Sequence, residues 1–197
     1  KGIQKIISYG SENADFTGSS KDSGDGFLQV SVTSGADLPL IKTHLVGDYN
    51  LPNVLVAVAI GKTFAVPEAQ ILQALENYIP TNSRSQMIEK RGARIILDAY
   101  NANPSSMRAA IINFGKMAGD KKYILLGGMK EMGSESRSEH KGIIDLLEEY
   151  RWDKAVLVGE EFRDVPQEYL HFANAEEARA WFADQDIKDA LVLIKGS

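Results

Sequence analysis

Residues 95–104 read Ile-Ile-Leu-Asp-Ala-Tyr-Asn-Ala-Asn-Pro, a short apolar run followed at once by a polar loop that ends in proline. A continuous apolar run of this length is typical of a strand buried on both faces of a parallel sheet. Three more such runs, at 123–126, 155–158 and 191–194, alternate with helical patterns over 106–117, 138–150 and 175–182. This alternation predicts an α/β domain with a Rossmann-like, doubly wound, mostly parallel sheet.

The chain before this domain has a different texture, β-rich at first and then helical. Apolar bias or alternation predicts strands over 3–9, 27–32 and 40–46, with a polar, glycine-rich turn at 18–26. Two helices should follow, one over 53–60 that ends at Gly61 and one over 67–78 with Pro67 in its first turn. Pro80-Thr81-Asn82-Ser83 interrupts the pattern, and we predict a domain boundary there, which gives domains 1–80 and 81–197.

Composition restricts the class of protein. The chain is 44% hydrophobic and 25% charged, as in an ordinary globular protein, and no apolar run approaches the ~20 residues that a membrane span needs. A net charge of −5 argues against a nucleic-acid partner, and the lack of cysteine excludes thiolate chemistry and cysteine-based zinc sites. We therefore expect a cytoplasmic protein with neither a membrane nor a nucleic-acid partner.

Polar residues follow the apolar runs, where ligands bind in open α/β sheets. The loop 98–104 combines a carboxylate, a phenol and two carboxamides, and the loop 127–134 combines paired glycines with Lys130. The two carboxamides suit a ligand that is an amide or a zwitterion, and Lys130 suits an anionic group. The same residues also make turns and helix caps, so the residues alone leave both interpretations open. The third loop, 159–161, is interpreted as a turn into a short helix.

Gly61-Lys62-Thr63 looks like the end of a phosphate-binding P-loop. That motif needs a glycine five positions earlier, where Val56 stands, and it must follow a strand and open a helix. Here the tripeptide closes a predicted helix, so we do not interpret it as a phosphate site.

Five motifs occur in the order and at the spacing that resemble those of the Mur ligases. They are Gly-Asp-Tyr-Asn-Leu-Pro-Asn at 47–53, Asn-Ser-Arg at 82–84, Asp-Ala-Tyr-Asn-Ala-Asn-Pro at 98–104, Gly-Met-Lys-Glu-Met-Gly at 128–133 followed by His140, and Lys-Gly-Ser at 195–197. The Tyr-Asn-Ala-Asn-Pro loop is similar to that of members which add D-alanyl-D-alanine. Alanine- and diaminopimelate-adding members carry an Asp-Tyr-Ala-His type of loop, and folylpolyglutamate synthases an Ala-His-Asn-Pro type.

The resemblance implies an ATP-dependent amide ligase that adds D-alanyl-D-alanine to UDP-N-acetylmuramoyl-tripeptide through an acyl phosphate, with Mg²⁺. It implies that residues 1–80 are the C-terminal part of the central ATP-binding domain and residues 81–197 the C-terminal ligase domain. The P-loop, the Mg²⁺ ligands and the UDP-binding domain are then expected before Lys1, more sequence is expected after Ser197, and this chain is expected to be inactive alone. The alternatives are another Mur or folylpolyglutamate-type ligase, or a non-catalytic Rossmann-like module that binds a nucleotide or a peptide.

The resemblance also implies which residues contact the nucleotide. Asn50 and Asn53 match asparagines that contact adenine, whereas Tyr49 stands where many relatives have histidine. Arg84 matches an arginine that reaches the phosphates and the ribose, and Asp98 a carboxylate that accepts hydrogen bonds from the ribose hydroxyls. Arg84 is therefore predicted to be both catalytic and ATP-binding.

Further positions are assigned to the reaction and to the substrates on the same basis. Lys130 is predicted to be catalytic, and no residue of this chain is predicted to bind a metal. The residues predicted to contact substrates are Tyr100, Asn101 and Asn103, which face the incoming dipeptide, and His140, Lys195 and Ser197.

Overall fold

The structure is a computed structural model that describes residues 2–3, 5–21, 23–81 and 83–196. The chain forms two compact units, Lys1–Pro80 and Thr81–Ser197. Assignment of these units to a central and a C-terminal ligase domain stays a prediction. Within the described ranges, every helix is too short or too polar to cross a bilayer.

The first unit is a small sheet covered by two helices. Its elements are β1 (Tyr9–Gly10), β2 (Phe16–Lys21), β3 (Phe27–Ser34), β4 (Ile41–Val46), α1 (Leu51–Thr63) and α2 (Glu68–Asn77). The strands lie in the order β1-β2-β3-β4; β1 is parallel to β2, and the other pairs are antiparallel. Alternate residues of β3 and β4, such as Leu28, Val30 and Ile41, pack with Val54, Leu55 and Val58 of α1 in one core, because side chains of a strand alternate between its faces.

Two predictions for the start of the chain are wrong. The strand expected over 3–9 is reduced to Tyr9–Gly10: of the described residues in this stretch, these two pair with β2, and Ile3 and Ile6 are exposed. The turn expected over 18–26 begins later, because Phe16–Lys21 is a strand. Gly18 interrupts its apolar pattern for a packing reason: an added Cβ there would lie 2.9 Å from Leu55 Cδ2 and 2.9 Å from the Ser31 carbonyl oxygen.

Gly61 does not end its helix, as the sequence predicted, because α1 continues to Thr63. An added Cβ at Gly61 would lie 2.8 Å from Ile71 Cδ1. The glycine therefore allows α2 to approach α1 closely instead of providing a stop. Pro67 is the residue before α2 rather than a member of its first turn.

In residues 83–196, the second unit has six strands and three α-helices, besides the short 3-10 helices Gly133–Glu135 and Glu160–Phe162. They are β5 (Gln86–Lys90), β6 (Ala93–Asp98), α3 (Pro104–Lys116), β7 (Lys122–Gly127), α4 (Ser136–Glu148), β8 (Lys154–Val158), β9 (Leu170–Phe172), α5 (Ala175–Ala183) and β10 (Leu191–Lys195). The four apolar runs and three helices predicted from the sequence are all present. The short strands β5 and β9 were not predicted; β5 is joined to β6 by the two-residue turn Arg91-Gly92, in which both φ angles are positive.

The sheet order is β5-β6-β10-β7-β8-β9, and every pair is parallel except β5–β6. The last strand thus enters the middle of the sheet. Helix α3 packs against α4, whereas Trp181 and Phe182 of α5 pack on the opposite set of strand residues, which includes Ile95, Leu125 and Val192. Helices therefore cover both faces, and the predicted Rossmann-like α/β fold is confirmed.

Candidate functional site

The loops after the parallel strands of the second unit lie along one border of the sheet, here called the carboxyl edge. A cavity of about 500 Å³ opens at this edge, and we call it the edge cavity. Three kinds of residue line it. The apolar residues, here called its floor, are Leu125, Val158, Ala178, Phe182 and Ile194, and the glycines are Gly127, Gly128, Gly159 and Gly196. The charged residues are Lys130, Glu160, Glu161, Arg179 and Lys195. It combines an apolar interior with charges of both signs, as small-molecule sites do.

Asp98 and Lys195 end the neighbouring strands β6 and β10 and are Cα partners in their register. Lys195 Nζ lies 3.1 Å from Asp98 Oδ2, and it also donates to the Asp98 carbonyl oxygen at 3.2 Å and the Asn101 carbonyl oxygen at 2.8 Å. The lysine is 2% exposed. The other carboxylate oxygen, Asp98 Oδ1, accepts a hydrogen bond from the Ser85 N–H at 3.1 Å. Two of the predicted site residues are thus in direct contact.

Arg84 and Tyr100 also meet, because the Arg84 guanidinium lies 3.7 Å from the centre of the Tyr100 ring. Both side chains are exposed. The residues on either side of Arg84, Ser83 and Ser85, have positive φ angles of 56° and 49°. Non-glycine residues rarely adopt this conformation, and it is concentrated at functional sites.

The two asparagines of the 98–104 loop bond within the loop itself. Asn101 Oδ1 accepts from the Ala102 N–H at 2.9 Å. Asn103 precedes α3 and caps it: its Oδ1 accepts from the Ser106 N–H at 2.9 Å, and Ser106 Oγ accepts from the Asn103 N–H in return. Because this reciprocal arrangement is a complete capping box, the capping interpretation of Asn103 is realised here. Contact of either asparagine with a dipeptide stays a prediction.

The loop after β7 is held from behind by His140. The Met129 N–H donates to His140 Nε2 at 2.9 Å, and His140 Nδ1 donates to the Ser136 carbonyl oxygen at 2.6 Å. The imidazole is completely buried and its edge faces the Phe162 ring. Lys130, the next residue after Met129, is exposed at the edge cavity. His140 therefore contacts backbone here, and its predicted contact with a substrate is not tested.

The wall formed by the β8 loop contains residues that the sequence did not single out as functional. Glu161 lies between Gly128 and Gly159, where a Cβ on either glycine would overlap its carboxylate. Gly159 has a φ angle of 115°, and its carbonyl oxygen lies 2.8 Å from His171 Nε2. Arg179 of α5 also lines the edge cavity. Gly128 and Gly159 could have been recognised from the sequence as candidate site residues, because each follows a buried strand. Arg179 could not, because it is an exposed residue of a helix with no distinctive neighbours.

The start of α5 borders the edge cavity and is capped by the side chain of Asn174. Asn174 Oδ1 accepts from the Glu176 and Glu177 N–H groups, each at 3.0 Å. The Glu177 carboxylate accepts from the Ala173 N–H at 3.2 Å and from Asn174 Nδ2 at 2.9 Å. The Ala173, Glu176 and Glu177 N–H groups are therefore already bonded, and the exposed positive charge at the cavity comes from Lys130 and Arg179.

The predicted adenine contacts lie in the first unit, in the turn between β4 and α1. Asn50 is buried and its Nδ2 donates to the Val46 carbonyl oxygen at 2.8 Å, while Asn53 Nδ2 donates to Asn50 Oδ1 at 2.9 Å. Gly47 has a φ angle of 92°, and an added Cβ would overlap the Tyr49 ring. Asn53 is exposed. These contacts form a rigid local turn, and its role in nucleotide binding stays a prediction.

The remaining predictions concern residues outside the described ranges and the metal ligands. Ser197 lies outside the described residues, as does Asn82 of the Asn-Ser-Arg motif. In residues 2–3, 5–21, 23–81 and 83–196, no three His, Asp or Glu side chains are grouped closely enough to hold a metal ion.

The Gly-Lys-Thr tripeptide at 61–63, which was not interpreted as a phosphate site, has its lysine in an ion pair: Lys62 Nζ lies 2.7 Å from the Glu68 carboxylate.

Comparison with known proteins identifies relatives of this chain. Residues 83–197 match the family model described as "Mur ligase, glutamate ligase domain". A UDP-N-acetylmuramoyl-tripeptide--D-alanyl-D-alanine ligase of Borreliella burgdorferi is 27% identical over 163 residues, which cover 78% of this chain and 35% of that protein. The chain thus spans about a third of that relative's length.

Solved structures agree with this result. MurF from Acinetobacter baumannii is 25% identical with a TM-score of 0.81, over 98% of this chain and 44% of that one. MurF ligase from Thermotoga maritima, solved in complex with ADP, has a TM-score of 0.81 at 22% identity, over 97% of this chain and 45% of that one, and so supports the fold. Because the family model matches more than half of its residues, this chain belongs to the Mur ligase family.

Proposed function

We propose that this chain supplies the nucleotide-closing and amine-accepting part of an ATP-dependent ligase that adds D-alanyl-D-alanine to UDP-N-acetylmuramoyl-tripeptide. The observation that carries the proposal is the edge cavity, which adjoins the ion pair Asp98–Lys195 at the carboxyl edge. The names of the related ligases support this reaction, and the size and lining of the cavity support it as the binding place of the second substrate.

The chemistry of the edge cavity fits a small zwitterionic dipeptide. D-Alanyl-D-alanine has an ammonium group at one end, a carboxylate at the other and two methyl groups between them. Arg179 matches the carboxylate, Glu160 and Glu161 match the ammonium, and the apolar floor matches the methyl groups. Glu160 also pairs with Arg163, so we assign the ammonium to Glu161.

The nucleotide contacts are proposed from chemistry and from the family resemblance. Arg84 is exposed and permanently charged, as a phosphate contact requires. The Asp98 carboxylate keeps lone pairs besides those used by Lys195 and Ser85, and these can accept from ribose hydroxyls. Asn50 and Asn53 are proposed to contact adenine. ATP and Mg²⁺ are the cofactors of the family in general.

ATP supplies the phosphoryl group that converts the tripeptide carboxylate into an acyl phosphate. The residues of this chain then hold the dipeptide against the activated carbonyl carbon. Its ammonium group first gives one proton to solvent, which makes the nitrogen nucleophilic. A C–N bond then forms, the C–O bond to phosphate breaks, and the second proton leaves with the phosphate. Arg84 and Lys130 offset the negative charge of the departing phosphate. Positioning of this kind accounts for most of the rate enhancement expected here, since it replaces a bimolecular encounter.

Binding of D-alanyl-D-alanine to the 197-residue chain tests this assignment. In a titration followed by ¹H–¹⁵N NMR, we expect saturable shifts of the Gly128, Gly159 and Gly196 amides. Arg179→Met should weaken binding by about tenfold, because a charge-assisted contact is lost. Lys154→Met is the matched control, since Lys154 is exposed at the opposite end of β8.

Two outcomes would contradict the proposal. Shifts confined to residues 99–103 would place the dipeptide on the loop predicted from the sequence and not in the edge cavity. If Arg179→Met and the parent chain bind the dipeptide with equal affinity, Arg179 does not contact it and the proposed binding mode is wrong.

A further inference from the structure

We propose that Lys195 is a positioning residue that fixes Asp98 and the turn carrying Tyr100, so that it acts on the nucleotide without touching any substrate. The inference rests on the proposed function, because Asp98 and Arg84 are the proposed nucleotide contacts. It replaces the direct substrate contact that the sequence motif suggested for Lys195.

The hydrogen bonds of Lys195 leave it no donor for a ligand. An ammonium group has three protons, and Lys195 Nζ has three oxygen acceptors within 3.2 Å: Asp98 Oδ2, the Asp98 carbonyl and the Asn101 carbonyl. Lys195 borders the edge cavity, but its side chain is only 2% exposed and so offers a ligand almost no surface. Its contacts are therefore all with the protein.

The acceptors of Lys195 lie at both ends of one short turn. The Asp98 and Asn101 carbonyls flank Ala99 and Tyr100, and the Tyr100 ring lies 3.7 Å from the Arg84 guanidinium. The same ammonium pairs with the Asp98 carboxylate, whose second oxygen accepts from the Ser85 N–H. Through these bonds one buried charge sets the orientation of Asp98 and, through Tyr100, the position of Arg84.

The sheet register makes the arrangement rigid. Lys195 and Asp98 are Cα partners across the parallel pair β6–β10, at the last residue of each strand. An added Cβ on Gly196 would lie 3.2 Å from Gly127 Cα, so the chain after β10 also packs closely against the end of β7. Because removal of one partner of a buried ion pair leaves the other uncompensated, loss of Lys195 should free the Asp98 side chain.

A first measurement reads the position of Asp98 without any ligase activity. In the 197-residue chain, Lys195→Met should speed hydrogen exchange of the Ser85 amide by about tenfold, because the carboxylate that accepts this N–H is released. Lys154→Met, which removes an exposed lysine of β8, should leave that exchange unchanged. If Lys195→Met does not fold, Lys195→Gln, which keeps two donors but no charge, serves in its place with the same expectation. Unchanged Ser85 exchange in a folded variant would overturn the proposal.

A second measurement tests whether Lys195 acts through Asp98. In the ligase that contains this chain, Lys195→Met and Asp98→Asn should each raise the KM for ATP by about tenfold. The double variant should raise the KM for ATP by about the same tenfold over the parent enzyme, because both changes remove one interaction. The KM for D-alanyl-D-alanine should change less. Additive effects near a hundredfold would show that Lys195 acts independently of Asp98. If the protein has no ligase activity, the proposed function fails, while the Ser85 exchange still decides the role of Lys195.

Discussion

His140 shows at the residue scale how a polar side chain of a family motif can serve the backbone. Both of its ring nitrogens are bonded to main-chain groups, and the residue has no exposed surface. Acceptance of the Met129 N–H requires an unprotonated Nε2, so the hydrogen bonds define the tautomer. Asn50 and Lys195 are likewise buried and bonded to main-chain oxygens. Such residues hold the backbone of the candidate site in place and present almost no surface to a ligand.

Glu68 allows a prediction about pH at this scale. Its carboxylate accepts from Lys62 Nζ at 2.7 Å and from the Asp37 N–H at 3.0 Å, and these bonds, that from Lys62 first, hold the pKa of Glu68 below its ordinary value. A carboxyl with a lowered folded pKa stabilises the fold above its unfolded pKa, and that contribution disappears as pH falls through the folded pKa. Glu68→Gln should therefore lose less stability than the parent chain between about pH 5 and pH 3.

Urea unfolding at the two pH values measures this difference. Glu89→Gln, a change at an exposed glutamate of β5, is the control and should show the acid sensitivity of the parent chain. Equal acid sensitivity of Glu68→Gln and the parent would show that the bonds to Lys62 and Asp37 contribute nothing to stability in solution.

At the scale of the element, the beginning of α3 separates two roles of Asn103. Its side chain accepts from the Ser106 N–H, and Ser106 completes the box. Asn103→Ala should lower the free energy of unfolding by about 1 kcal/mol, whereas Asn103→Asp should keep the cap and the stability. Thermal unfolding of both variants measures the cap.

Dipeptide binding to the same two variants measures the other role. If Asn103→Asp binds D-alanyl-D-alanine as well as the parent chain, the residue is a helix cap only. If it binds more weakly at unchanged stability, the carboxamide contacts the ligand, as the sequence predicted.

Helix α1 shows at the same scale what local patterns miss. Its glycine was interpreted as a stop signal because glycine is common after helix ends, yet the helix includes Gly61 and continues to Thr63. The residue that explains it, Ile71, lies in the next helix.

For the whole molecule, the position of the Gly-Lys-Thr tripeptide predicts the behaviour of the chain toward ATP. The tripeptide lies in the last turn of α1, where the Phe64 N–H bonds to the Ile60 carbonyl and the Lys62 ammonium to Glu68. A P-loop instead presents free N–H groups at the start of a helix. The 197-residue chain should therefore release no phosphate from ATP.

A phosphate-release assay at saturating ATP checks this, with Lys62→Met as the matched variant. Both proteins should remain at the background rate. If the parent chain releases phosphate and Lys62→Met does not, the tripeptide binds phosphate after all. It would then have to adopt a conformation other than the last turn of α1.

The sequence by itself determined the helices and buried strands of the second unit and the polar loops at their ends, because hydrophobic periodicity is a property of neighbouring residues. It did not reveal the edge strands β5 and β9, which are short and half exposed. Nor did it indicate the edge cavity residue Arg179, which has no distinctive local pattern.

Only the tertiary structure decided which residues meet. Strand β10 pairs between β6 and β7, and this brings Lys195 to Asp98 across 97 positions of sequence. Burial of His140 and the approach of Ile71 to Gly61 depend in the same way on elements distant along the chain. Contacts of this kind form when separate elements pack into one core, and a local pattern of residue types contains no information about its distant partner.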